Sequence, residues 1–277
     1  MEEPDFTDWI GRSRSDEDEA TAYPVQALAA TLDLEAPAAS AGDAIPPAWH
    51  WLWFLATAPQ AALGHDGAEA RGEFLPPVEL PRRMWAGGSF TFHQPLRLGE
   101  RIRRVSTIRE IQRKTGRQGK LAFVTVEHEI SGAAGLAVSE THNIVYRAAA
   151  APGAAATPLA APEGAVWRRE IVSDPVLLFR FSALTFNGHR IHYDRSYCTE
   201  TEGYPGLVVH GPLQAMLLLE LARARAPRPV RRFDYRAQAP IFDTGPFSVN
   251  GRPEGDGAAL WTADAAGHLG MSGRVEF

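Results

Sequence analysis

The chain has 277 residues, 45% of them hydrophobic and 22% charged, with a formal charge of -5 at neutral pH. That is apolar material for one large core or two ordinary ones, and the scattered arginines form no basic stripe, so nucleic acid is not an expected partner. A single cysteine, Cys198, excludes an internal disulfide and any multi-cysteine metal centre; no motif surrounds it, and it reads as a packing residue.

The opening residues, Met1-Glu2-Glu3-Pro4-Asp5-Phe6, are acidic, unlike a secretory leader. The densest apolar windows, 51–56 and 213–221, fall well short of the roughly 20 residues a membrane helix needs. A cytoplasmic protein with no membrane partner is therefore expected. Pro46-Pro47 opens the apolar segment Ala48-Trp-His-Trp-Leu-Trp-Phe-Leu55, and proline suits a first helical turn, so a buried helix is predicted there. Residues 60–88 form a long polar and proline-rich excursion whose Phe74, Leu80, Met84 and Trp85 would be costly to leave in water; it reads as a cover over a pocket.

Strands follow, with alternating runs at Phe123–Ile130 and Thr141–Tyr146 and turn signals at Thr115-Gly116 and Ser131-Gly132. The stretch 148–163, uncharged from Ala148 to Pro162 and carrying Pro152, Pro158 and Pro162, reads as an extended linker between a unit at 1–147 and one at 164–277. Beyond it the same order recurs. Gly211-Pro212 opens the apolar helix Leu213–Leu221, and further turn signals lie at Glu254–Gly257 and Ala266-Gly267. Gln94–Gly99 is echoed by Ala239–Gly245, and Gly135–Ser139 by Gly267–Ser272, both read as strands. The shared order predicts a duplicated unit, each copy a buried helix followed by an antiparallel meander.

The chemistry-bearing stretch is Phe181-Ser-Ala-Leu-Thr-Phe-Asn187-Gly-His189-Arg190-Ile-His192-Tyr193-Asp194, followed by Tyr204-Pro-Gly206-Leu-Val-Val-His210-Gly211-Pro212. His192 titrates near neutral pH and is the best proton carrier; Asn187, five residues before it, can orient a water but cannot take a proton. A plain alternative has Asn187 capping the turn at Gly188. If the chain after Gly188 is extended, Arg190 and His192 share one face, and Arg190 can reach a carboxylate or phosphate; a structural ion pair with Asp194 or Glu200 is the equal alternative. His210 is read as packed or capping. His189 and His192 do not suggest zinc, and no dinucleotide or phosphate loop is present, so neither metal nor cofactor is expected.

These residues resemble the MaoC-like hot-dog hydratases and dehydratases, and within them the branch of type 2 hydroxyacyl-thioester dehydratases and mesaconyl-CoA or itaconyl-CoA hydratases. The resemblance implies an α+β double hot-dog: two repeats, each an antiparallel sheet around a central helix. It implies an acyl-CoA hydro-lyase with His192, Asn187 and Gly211 as catalytic residues, the Gly211 N–H meeting the thioester carbonyl. In the wider family a carboxylate stands where this chain has Asn187, so His192 is left to move protons alone. The first half has no Asn-x4-His before its helix and is expected to shape the pocket without doing chemistry. The resemblance favours a short branched dicarboxylic acyl group such as mesaconyl-CoA or itaconyl-CoA, giving citramalyl-CoA. Arg82, Arg83 and Arg190 are then candidates for the distal carboxylate, with Trp85 and Tyr193 also assigned to the substrate. A long-chain hydroxyacyl group on acyl carrier protein, a thioesterase and a non-catalytic acyl-CoA-binding protein remain open, as does a homodimer.

Overall fold

The computed structural model describes residues 6–35, 39–69, 72–116, 119–148, 158–226 and 228–277. Among these residues ten strands form a single antiparallel sheet in the order β1-β3-β4-β5-β2-β7-β10-β9-β8-β6. The first five are β1 Ser13–Glu19, β2 Arg82–Phe92, β3 Arg101–Gly116, β4 Gly119–Gly132 and β5 Gly135–Arg147; the second five are β6 Trp167–Ile171, β7 Arg232–Ala237, β8 Phe247–Glu254, β9 Gly257–Ala263 and β10 Leu269–Glu276. Reading inward from either edge, the two halves have the same order, and they join where β2 pairs with β7 from Gly87↔Arg236 to Thr91↔Arg232. This is the duplicated antiparallel α+β arrangement that the double hot-dog requires.

Among the described residues three α-helices accompany the sheet: α1 Ala22–Thr31, α2 Pro175–Leu184 and α3 Gly211–Arg225. α3 is the wrapped helix. Pro212 stands in its first turn, Arg223 and Arg225 in its last, and the ten residues Leu213–Ala222 are all buried, which is why this sequence is apolar on every side. Its two buried polar residues are matched: Gln214 Oε1 accepts from Thr262 Oγ1 at 2.8 Å, and Glu220 Oε1 accepts from Trp49 Nε1 at 2.9 Å. Leu218 and Leu219 are fully buried, so truncating either to Ala costs on the order of 2–5 kcal/mol.

Several expectations are corrected. The first-half counterpart of α3 is only a 3-10 turn, Trp49–Leu52. Ala48 and Phe54 lie at positive φ, 65° and 56°, so no helix runs through them. The side chains between are drawn to different carboxylates, Trp49 to Glu220 and His50 and Trp51 to Glu140. The echoing segments Gln94–Gly99 and Ala239–Gly245 are matched turns that join β2 to β3 and β7 to β8, not strands. The excursion is shorter than 60–88, because Arg82–Phe92 is strand β2 at the centre of the sheet. Phe74, Leu75 and Leu80 do pack, but over Ile108, Val124, Val126 and Tyr146 of the first half. Of the linker 148–163, residues 149–157 lie outside the described residues. Among the described residues no helix is long and apolar enough to cross a membrane.

Candidate active site

The site is built where α2 ends. Asp174 caps that helix, accepting from Leu177 N–H at 2.8 Å, and Pro175 occupies its first turn. At the other end Phe186 takes φ 48°, and Asn187 N–H closes the helix by donating to Ser182 O at 2.8 Å. That reversal presents Asn187. Its Oδ1 accepts from His189 N–H at 3.0 Å, so the capping bond is real, while its Nδ2 has no partner among the described residues.

The chain beyond Gly188 is not extended. It forms a 3-10 turn over Arg190–His192, which removes the alternation that placed Arg190 beside His192. A 3-10 turn closes i to i+3 bonds, and here Tyr193 N–H donates to Arg190 O at 3.1 Å. The Arg190 guanidinium instead pairs with Asp194 at 2.8 Å, donates to His65 O at 3.0 Å and lies over the Tyr197 ring. Its backbone N–H donates to Asp66 O at 2.8 Å. Gly67, at φ 78°, presses on Gly188, where any Cβ would collide. Residues 64–67 of the excursion are thus stitched across the Arg190–His192 turn. Tyr193, 45% exposed, ties its hydroxyl back to Gly188 O at 3.0 Å.

His192 is buried, and its Nδ1 lies 2.7 Å from Val208 O. A carbonyl only accepts, so Nδ1 carries the hydrogen and Nε2 holds a free lone pair. Burial pushes the imidazole down to about 3, against the Val208 bond, which favours the charged form. Its ring stacks on His210 at 3.7 Å and meets His189 edge-on at 5.6 Å. His210 is fully buried, paired through Nε2 with Ser182 Oγ at 2.9 Å, and burial and the neighbouring His192 hold it well below the ordinary histidine range. The packed role expected of His210 is what its contacts show.

Gly211 follows as the first residue of α3, and its N–H has no acceptor among the described residues. A Cβ there would lie 2.7 Å from Trp85 Cε3, so only glycine lets that indole sit on the helix start. Helix-start N–H groups and the helix dipole favour an oxyanion. Arg82 and Arg83 diverge. Arg82 reaches Glu202, 3.4 Å to its carbonyl, and lies over the Tyr204 ring. Arg83 lines a cleft of 440 Å³ with His65, Asp66, Glu69 and Glu79. Cys198 is buried and donates to Ile191 O at 2.9 Å.

Sequence reasoning missed two things. Ser182 and Val208 hold His210 and His192, and neither residue type advertises such a role. The other is a polar cluster in the first half: Glu140 accepts from His50 Nε2 at 3.0 Å, from Trp51 Nε1 at 2.7 Å and from His142 Nε2, and His128 pairs with Ser106 Oγ at 2.7 Å. Burial opposes the charge on Glu140, but His142 and His50 outweigh it and hold the carboxyl well below the usual carboxylate range. The signal was there, since His128 falls on the same alternation as the buried Val124, Val126 and Ile130.

The duplicated hot-dog and its relatives place the chain in an acyl-thioester hydratase or dehydratase class. The family model described as hydroxyacyl-thioester dehydratase type 2 matches residues 48–243, and the chain belongs to that family. It is 49% identical over 278 residues to "Mesaconyl-C(4)-CoA hydratase" of Chloroflexus aurantiacus, covering 100% of this chain and 99% of that one. Among solved structures, HtdX of Mycobacterium tuberculosis superposes with a TM-score of 0.68 at 18% identity, over 96% of this chain and 99% of that one. A second protein of that organism, described as having a double hotdog fold, gives 0.58 at 11% identity over 96% and 95%. The last two bear on fold alone.

Proposed function

We propose that this chain is a hydro-lyase that reversibly adds water to the double bond of a short branched dicarboxylic enoyl-CoA, mesaconyl-CoA or itaconyl-CoA, giving citramalyl-CoA. The observation that carries the chemistry is the His192 tautomer fixed by Val208, which leaves Nε2 as a base at the start of α3. With mesaconyl-CoA, whose double bond is conjugated with the thioester, water held by Asn187 Nδ2 gives its proton to His192 Nε2 as its oxygen bonds to the β carbon; itaconyl-CoA first brings its double bond into conjugation by moving a proton from the α carbon to its terminal methylene. The double-bond electrons move to the thioester oxygen, which Gly211 N–H and the α3 dipole stabilise. His192 Nε2 then returns the proton to the α carbon, so one imidazole serves both steps. Dehydration runs the same path backwards.

Whole-length identity to a relative named for mesaconyl-C(4)-CoA supports the dicarboxylic substrate. The electrostatics agree with it. A substrate carboxylate brings into this desolvated site the negative charge that an imidazolium at His192 otherwise lacks, which raises its basicity on binding. Arg83, which lines the cleft beside His65 and has no ion-pair partner among the described residues, is the arginine offered to that carboxylate; Arg82 is engaged by Glu202. Arg190 and Tyr193 act by holding the covering residues 64–67 and Gly188. The test supplies mesaconyl-CoA, itaconyl-CoA and crotonyl-CoA side by side and follows product mass for all three, loss of the conjugated enoyl absorbance for mesaconyl-CoA and crotonyl-CoA, and free thiol. Hydration without thiol release is expected, whereas thiol release would make the chain a thioesterase.

A further inference from the structure

Among the described residues the first half has only the 3-10 turn Trp49–Leu52 where the second half has α3, and what fills that place bears on which acyl groups fit. Trp85 is the residue that links that interior to the catalytic helix. A bulge in the β2–β5 ladder between Trp85 and Gly87 re-aims its side chain. One edge of the indole then lies against Gly211, and its ring is only partly buried. On the far side the ring meets Trp51 at 5.4 Å and 76°, His142 at 5.8 Å and 80°, and Tyr235 at 4.8 Å.

Two of those three neighbours are held by one group. Glu140, buried at 3% exposure, binds Trp51 Nε1 and His142 Nε2, and its third bond fixes His50, whose ring packs on Phe90 at 5.6 Å. A buried carboxylate with three donors is costly to disturb, so the rings it holds do not yield readily. Among the described residues no three or more His, Cys, Asp or Glu side chains are grouped as metal ligands would be, so the cluster reads as a brace.

Resting on the hydratase reading above, we propose that Trp85 is the end wall of the acyl pocket, held rigid by Glu140 through Trp51 and His142, and that this wall limits the enzyme to short acyl groups. Trp85 is the specificity-determining residue and Glu140 a positioning residue. Where the catalytic repeat has its helix, the degenerate repeat has this braced aromatic stop, and an acyl chain that extends past Gly211 toward the first half runs into it.

The test compares kcat/KM for crotonyl-CoA and trans-2-octenoyl-CoA in the wild type, Trp85→Ala, Trp85→Phe and Glu140→Gln, with thermal melts for each. Each methylene admitted to an apolar pocket is worth about fourfold, so four of them allow on the order of a hundredfold. The octenoyl-to-crotonyl ratio is expected to rise at least tenfold in Trp85→Ala, less in Trp85→Phe, and in the same direction in Glu140→Gln, with the change lying mainly in KM for the longer substrate. A merely structural role for Glu140 would lower both substrates alike and leave the ratio unmoved. Inhibition of the wild type by butyryl-CoA and octanoyl-CoA carries the same question without any variant: octanoyl-CoA is expected to bind no tighter. A wild type that favours the octanoyl group, or folded Trp85 variants with an unchanged ratio, would overturn the wall while leaving the hydratase intact. A wild type that hydrates no enoyl-CoA at all would overturn the hydratase reading and the wall with it.

Discussion

Replacing His192 tests the proposed chemistry most directly. The imidazole is fixed by Val208 O at 2.7 Å and by stacking on His210 at 3.7 Å, and no second titratable group stands at the position of Asn187. Loss of a sole acid–base group costs on the order of 10²–10⁴ in rate, or about 2.7–5.5 kcal/mol of barrier. His192→Ala and His192→Gln should both fall by that amount in kcat with crotonyl-CoA and with mesaconyl-CoA, although glutamine restores a polar side chain, because neither takes up a proton. Because burial holds His192 at about 3, its base form is already populated at pH 5, and the wild-type kcat/KM should show no acid limb near 6.5 from this group. Turnover is read from enoyl absorbance, with circular dichroism and a thermal melt to establish folding. Either folded variant within tenfold of the wild type would refute the single-base mechanism, and an acid limb at 6.5 that vanishes in His192→Gln would refute the burial.

Asn187→Ala should lower kcat by roughly tenfold, the loss of one orienting hydrogen bond, and so by less than either His192 variant; equal losses in a kinetic comparison would contradict the division of labour. Arg83→Met should raise KM for mesaconyl-CoA ten- to hundredfold relative to crotonyl-CoA, the worth of a charge-assisted bond, whereas Arg82→Met should not discriminate, since its partner is Glu202. Gly211→Ala should cut kcat sharply because its Cβ would strike Trp85; a folded variant with normal turnover would show that the indole does not sit on the helix start. Acid should unfold the protein early. The unfolded chain protonates histidines near 6.5, but burial lowers His128 and His192 to about 3 and His210 well below the ordinary value, so the unfolded state binds more protons and stability falls as pH drops below 6.5. Denaturant titrations from pH 7 to 4 should show the loss, and His192→Gln should reduce the slope by up to one proton.

The parts whose physics is local were legible in the sequence. α3 announces itself through Pro212 and an apolar run on every side, the long strands through period-two alternation, and the residues proposed for acid–base chemistry are offered by the spacing of Asn187 and His192. Where tertiary contacts outweigh local preference, the sequence misled or was silent. Ala48 to Leu55 reads as a helix, yet the Trp49 indole is drawn to Glu220 and the His50 imidazole and Trp51 indole to Glu140, carboxylates 171 residues from Trp49 and 90 from His50 in the chain, and one 3-10 turn remains. β1, with the sequence SRSDEDE, shows no apolar alternation because it is an edge strand whose charges guard an exposed ladder, and only its pairing with β3 makes it a strand. Arg190 reads equally as a substrate ligand or as an ion-pair partner of Asp194 or Glu200; the 3-10 turn gives it to Asp194 and to the carbonyl of His65. The tautomer of His192 likewise depends on Val208, whose contribution is a backbone carbonyl that any residue would supply. A sequence records side-chain chemistry and short periods; the direction in which a backbone group or a buried carboxylate faces is set by the packing of distant elements, and only the folded chain carries it.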